Sequence, residues 1–142
     1  SPMRTLVLAL WLAVATVGPA AALELAPAER GAIRGVVQAQ LDAFQRDAGA
    51  EAFGYASPSI RQMFRTPARF MRMVREGYAP VYRPRQVEFR DIVRWRGRIT
   101  QRVHLVGPDG APVIANYLME QQADGTWLID GCILEEVPDM SV

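Results

Sequence analysis

The sequence predicts an α+β domain in which N-terminal helices pack on the concave face of a curved four-stranded antiparallel meander. Two observations carry that prediction. Up to Gly77 the apolar residues recur at helical spacing, whereas from Gln86 onward they alternate with period two. Three turn signals that end in glycine, Trp95-Arg96-Gly97, Pro108-Asp109-Gly110 and Ala123-Asp124-Gly125, then divide the second half into four strands joined by hairpins. The expected layout is a leader over residues 1–25, a single domain over 26–137 and a tail over 138–142.

The leader decides the expected compartment. Arg4 precedes an uncharged run from Thr5 to Leu23, apolar from Leu6 to Val17, then broken by Gly18-Pro19 and followed by Ala20-Ala21-Ala22. This is the pattern of a secretory signal peptide cleaved after Ala22. At ~1.5 Å per residue the same run spans close to a bilayer's hydrocarbon thickness, so residues 5–23 also fit an uncleaved membrane anchor. Either way the domain is expected in the periplasm or elsewhere outside the cytoplasm. A single cysteine, Cys132, suits an exported domain that needs no internal disulfide.

In the first helix, Pro27 takes a first-turn position and Ile33, Val36, Val37, Leu41 and Phe44 share one face before Gly49. A short piece from Ala50 to Ala56 follows, and Ser57-Pro58 starts another turn of helix through Met63 and Phe64. Thr66-Pro67 is a cap and first-turn proline for a helix ending near Gly77, with Phe70, Met73 and Val74 on one arc and Arg69, Arg72 and Arg75 opposite. Tyr78 to Pro84 is a proline-punctuated connector whose tyrosines, Tyr78 and Tyr82, either anchor the loop or border a pocket mouth.

Treating all three turns as three-residue loops sets a register. Arg94 faces Arg98 in the first hairpin, Gly107 faces Ala111 in the second and Gln122 faces Thr126 in the third. The apolar rows then coincide across four strands, and a slip of one residue in any hairpin would break the agreement. One polar layer crosses that face: Asp91, Gln101, Tyr117 and Gly131, where the missing side chain leaves space. Together with Tyr78 and Tyr82 these are the expected ligand-binding residues. Asp91 as proton acceptor and Tyr117 as donor would be the catalytic pair if the domain were an enzyme. On this register Asp130, Cys132 and the only histidine, His104, lie on the outer face, His104 beside Glu88. The aliphatic residues Ile114, Leu118, Leu128 and Leu134 on that face point to a covering partner, most simply a second copy of the chain.

Charge is strongly segregated. Residues 1–60 carry four arginines and five acids, residues 61–102 twelve arginines and three acids, and residues 103–142 no arginine and seven acids. The basic middle fits the acidic end internally, or offers Arg65, Arg69, Arg72 and Arg75 to anionic lipid. No lysine is present, which removes Schiff-base chemistry. There is no phosphate-binding glycine loop, paired-cysteine or HExxH pattern. Hence no cofactor, no metal and no nucleic acid are expected.

The segments Val37-Gln38-Ala39-Gln40-Leu41-Asp42-Ala43-Phe44, Phe53-Gly54-Tyr55-Ala56-Ser57-Pro58, Tyr82-Arg83-Pro84 and Trp127-Leu128-Ile129-Asp130-Gly131-Cys132 resemble the bacterial domain of unknown function 4864, over about residues 33–134. That family in turn resembles the nuclear transport factor 2-like superfamily of cystatin-like α+β cones. The resemblance implies a cone-shaped fold that often dimerises through its sheet, in a superfamily of isomerases, dehydratases and non-catalytic binding domains. It supplies no catalytic motif. The resulting expectation is an exported or membrane-tethered domain that binds a small apolar ligand or a protein partner without catalysis. An accessory subunit of a membrane complex, or an isomerase or lyase using Asp91 and Tyr117, are the alternatives.

Overall fold

The computed structural model describes residues 23–138, so the expected signal or anchor and most of the tail lie outside the described residues. Five helices precede four strands: α1 (Pro27–Gln45), α2 (Gly49–Gly54), α3 (Pro58–Phe64), α4 (Pro67–Gly77), α5 (Ala79–Tyr82), β1 (Gln86–Trp95), β2 (Arg98–Val106), β3 (Pro112–Gln121) and β4 (Trp127–Glu136). The strands form one antiparallel sheet in the order β1-β2-β3-β4, leaving β1 and β4 as edges. The α+β architecture is as expected; α5, a single turn within the proline-punctuated connector, was not.

Local chemistry accounts for the helix boundaries. Glu29 reaches back to accept from the Ala26 N–H at 3.2 Å, and Pro27 occupies the first turn of α1. Thr66 Oγ1 accepts from the Arg69 N–H at 3.2 Å, the predicted cap, and Ser57 Oγ accepts from the Ile60 N–H at 3.3 Å where the start of a helix was expected. Ile33, Val37, Leu41 and Phe44 of α1 are buried in one cluster with Val103, Leu105, Ala115, Met119 and Ile129 of the sheet. Apart from Ala115, each such side chain contributes ~1.5–3 kcal/mol by leaving water. Phe70 of α4 is the aromatic hub, with Phe44, Phe53 and Phe64 at 6.0, 5.4 and 5.8 Å between ring centroids. Met71, not on the predicted apolar arc, is also buried, because α2 approaches it so closely that a side chain at Gly49 would come within 3.0 Å of its Cγ.

Two hairpins have the expected three-residue loops. The Gly107 and Gln122 N–H groups donate to Ala111 at 3.0 Å and Thr126 at 2.7 Å, with Gly110 and Gly125 at φ 83° and 92°. The first hairpin differs. Arg96 and Gly97 both have positive φ, 53° and 77°, which makes a two-residue loop with Trp95 facing Arg98. A β-bulge at Arg90 and Asp91 then absorbs the slip, so Phe89 still faces Val103 and Val87 still faces Leu105.

A second bulge corrects the predicted β3–β4 register. Met119 faces Ile129 as expected, but Asp130 is the extra residue, after which Leu118 faces Gly131 and Tyr117 faces Cys132. One inserted residue exchanges the faces of everything that follows. Cys132 and Leu134 therefore pack against the core instead of lying outside, and Gly131 leaves the Tyr117 row. The chain entering α3 docks at this bulge: the Ile129 N–H donates to the Tyr55 carbonyl at 2.9 Å and the Ser57 N–H to the Ile129 carbonyl at 2.8 Å. Part of the exposed edge of β4 is thereby covered.

A candidate ligand-binding cleft beside the edge strand

A cleft of about 460 Å³ lies between the helices and the edge strand β4. Phe44 of α1 and Phe70, Met73 and Val74 of α4 line it on the helical side. Ile60, Met63 and Phe64 of α3 also contribute, and Met63 is 67% exposed, which marks the mouth. From the sheet come Tyr117, Leu118, Ile129, Gly131 and Cys132. A Cβ on Gly131 would sit 3.4 Å from Leu118 Cδ1, so the absence of a side chain here bares Leu118 to the cleft.

The polar groups of the wall are few, and most are occupied. Gln40 Nε2 donates to the Ala52 carbonyl at 3.1 Å, and Tyr78 Oη donates to the Cys132 carbonyl at 3.0 Å. Tyr117, 1% exposed, is different: its hydroxyl is buried and has no hydrogen-bond partner. Burial holds the Tyr117 hydroxyl well above its ordinary range, with Cys132 adding to the effect, and raises the Tyr78 hydroxyl in the same way. Cys132 is partly buried against the core, and burial of its thiol pushes it up to about 12. A thiol so disfavoured as an anion is a poor nucleophile.

Of the six residues expected to bind ligand, Tyr78, Tyr117 and Gly131 come together in the cleft wall, although Gly131 arrives by a different register from the one predicted. The other three serve elsewhere. Asp91 is exposed in the β1 bulge and Ile92 takes its place opposite Gln101, so the Asp91–Tyr117 pair does not form across the sheet. Gln101 is buried but supports that bulge, its Nε2 donating to the carbonyls of Arg90 at 2.8 Å and Arg102 at 3.0 Å. Tyr82 anchors the end of α1: its hydroxyl donates to the Asp47 carboxylate, while Arg83 pairs with Asp47 at 3.0 Å and stacks 4.0 Å from the Tyr82 ring centroid. The Tyr82 hydroxyl, and after it Arg83, hold the Asp47 carboxyl below its ordinary range. The residues that sequence reasoning missed are those of α3; the apolar spacing of Ile60, Met63 and Phe64 was visible, but nothing local said which surface they would cover.

The outer sheet face carries polar ties. Arg102 binds Asn116 at 3.2 Å and Glu135 at 3.2 Å, and Asn116 donates to Glu135 at 2.8 Å. Arg98 pairs with Asp130 at 2.8 Å. These join basic β2 to acidic β4, the internal complementarity that the charge segregation allowed. Glu88 pairs with Arg90 at 2.7 Å even though His104 stands opposite it as predicted. The four arginines divide: Arg65 ends α3 with φ 73°, Arg69 and Arg72 border a shallow groove with Met73 and Glu76, and the charge of Arg75 is felt by Asp47 and Tyr82.

Among the described residues no group of three or more acidic, histidine or cysteine side chains is placed to hold a metal ion, and no helix is long and apolar enough to cross a membrane. No curated protein and no solved structure matches the chain. Residues 26–142 match the Domain of unknown function (DUF4864), and the chain belongs to that family.

Proposed function

We propose that the domain binds a small apolar ligand in the cleft beside β4, without converting it chemically. The carrying observation is the cleft itself, about 460 Å³ with an almost wholly apolar wall, a size and lining typical of small-molecule sites. The wall supports binding over turnover because none of its residues is an Asp, Glu or His that could accept a proton near neutral pH. Helices laid on one side of a four-stranded meander also support kinship with the nuclear transport factor 2-like cones. Export is part of the same reading, supported by the apolar run from Thr5 and the alanines before Leu23.

Titration with the neutral fluorophore N-phenyl-1-naphthylamine tests the binding claim. The wild-type protein should give saturable, blue-shifted emission, and Ile60→Trp, which fills the cleft from α3, should weaken it about tenfold, a loss of ~1.4 kcal/mol. Emission that rises linearly without saturation in the wild type would remove the proposal. Intact mass of the protein isolated from its native envelope separates the cleaved form from the anchored one.

A further inference from the structure

The composition of the cleft narrows what it can hold. None of its lining residues is Asp, Glu, Arg or His, so a carboxylate, phosphate or ammonium group drawn inside would lose its hydration without a countercharge. The amide of Gln40 and the hydroxyl of Tyr78 already donate to backbone carbonyls. Tyr117 Oη is the one buried side-chain polar atom, among the described residues, that lacks a partner. A donor shielded from solvent and left unpaired is a standing cost, which a ligand oxygen placed against it would relieve. A pure hydrocarbon would leave that cost in place.

We infer that the ligand is a neutral, elongated hydrophobe carrying one hydrogen-bond-accepting oxygen, such as a ketone or ester. The oxygen seats against Tyr117 and the apolar body extends toward Met63. The direction follows from burial, since Tyr117 is 1% exposed and Met63 is 67% exposed. This rests on the binding reading above and adds the ligand's charge state, its polar group and its orientation. The thiol of Cys132 stays protonated and the chain has no lysine, so the oxygenated group is held without a covalent bond.

The test measures displacement of N-phenyl-1-naphthylamine by decane, 2-decanone and decanoate, with the full chain as wild type and as Tyr117→Phe. The variant should weaken 2-decanone about tenfold, the usual scale of one buried hydrogen bond, and leave decane unchanged. Decanoate at pH 7.5 should bind more weakly than 2-decanone to both proteins. An equal effect of the variant on decane and 2-decanone, or decanoate as the tightest of the three, would overturn the ligand class while leaving the apolar cleft intact. Failure of all three to displace a bound fluorophore would also overturn the ligand class, and a fluorophore that does not bind at all removes the binding reading first. A ligand-free check runs alongside: Tyr117→Phe should match or exceed the wild-type melting temperature. A clear fall would show that the hydroxyl already has a protein partner, and the inference would fail.

Discussion

Ser57 Oγ donates to Asp130 Oδ1 at 2.5 Å, joining the cap of α3 to the bulge of β4 across 73 positions of sequence. Ser57 is fully buried, and the second oxygen of Asp130 is held by Arg98 at 2.8 Å. The same serine therefore starts the helix that covers the cleft and fastens it to the strand that forms the opposite wall. Ser57→Ala should remove both bonds and cost ~1–3 kcal/mol, read from the urea midpoint. It should also weaken binding of the neutral fluorophore, because α3 has no fully buried residue and is otherwise held only by the partly buried Ile60 and Phe64.

Gly131→Val places a branched side chain over Leu118. The glycine has no positive φ that would strain the substitution, and its nearest neighbour is the flexible end of Leu118. The variant should fold normally by far-UV circular dichroism and lose about tenfold in fluorophore affinity, equivalent to ~1.4 kcal/mol. Unchanged affinity would show that this part of the wall does not touch ligand.

Gln101 and Asp91 should separate stability from binding. Gln101→Ala leaves the Arg90 carbonyl of the β1 bulge without its donor and should cost ~1–3 kcal/mol of stability. Asp91→Asn, at an exposed position, should change stability by no more than ~0.5 kcal/mol. Neither residue lines the cleft, so fluorophore affinity should be unchanged in both folded variants, as measured by direct titration.

Alkali should destabilise the domain through its buried thiol. Cys132 has an ordinary value of 9.0 and is pushed up to about 12 in the folded protein by burial. Its contribution is complete below the unfolded value and is lost as pH rises through the folded one, because the unfolded chain releases the proton first. Tyr117, also raised by burial, acts in the same direction above its ordinary value of 10.0. The urea midpoint should therefore fall between pH 9 and 12. The decline should be shallower in Cys132→Ala once both proteins are normalised to pH 7.

The sequence makes the architecture legible because its signals are local. Serine and threonine caps, first-turn prolines and turn-ending glycines each act within a few residues, and they place α1, α3, α4 and all four strands. The two bulges are not legible in that way. Arg96 takes a left-handed conformation that its residue type does not advertise, and the slip it causes is absorbed by Arg90 and Asp91, leaving the apolar rows beyond them undisturbed. The apolar alternation is therefore the same with or without the bulge, and only the position of the intervening Asp91 changes. In β4 the glycine signals an irregularity, yet the inserted residue is its neighbour Asp130, fixed there by Ser57 and Arg98 from distant segments. Tertiary partners of that kind have no trace in a local pattern, and they decide which of Gly131 and Cys132 faces Tyr117.

The cleft is tested most directly by methyl-resolved NMR of the protein titrated with 2-decanone. Resonances of Ile60, Met63, Met73 and Leu118 should shift together and saturate, while those of Ile33 and Leu105, buried away from the cleft, remain in place. Shifts confined to Ile114 and Leu128, on the outer sheet face and away from the cleft, or none at saturating ligand, would contradict the account.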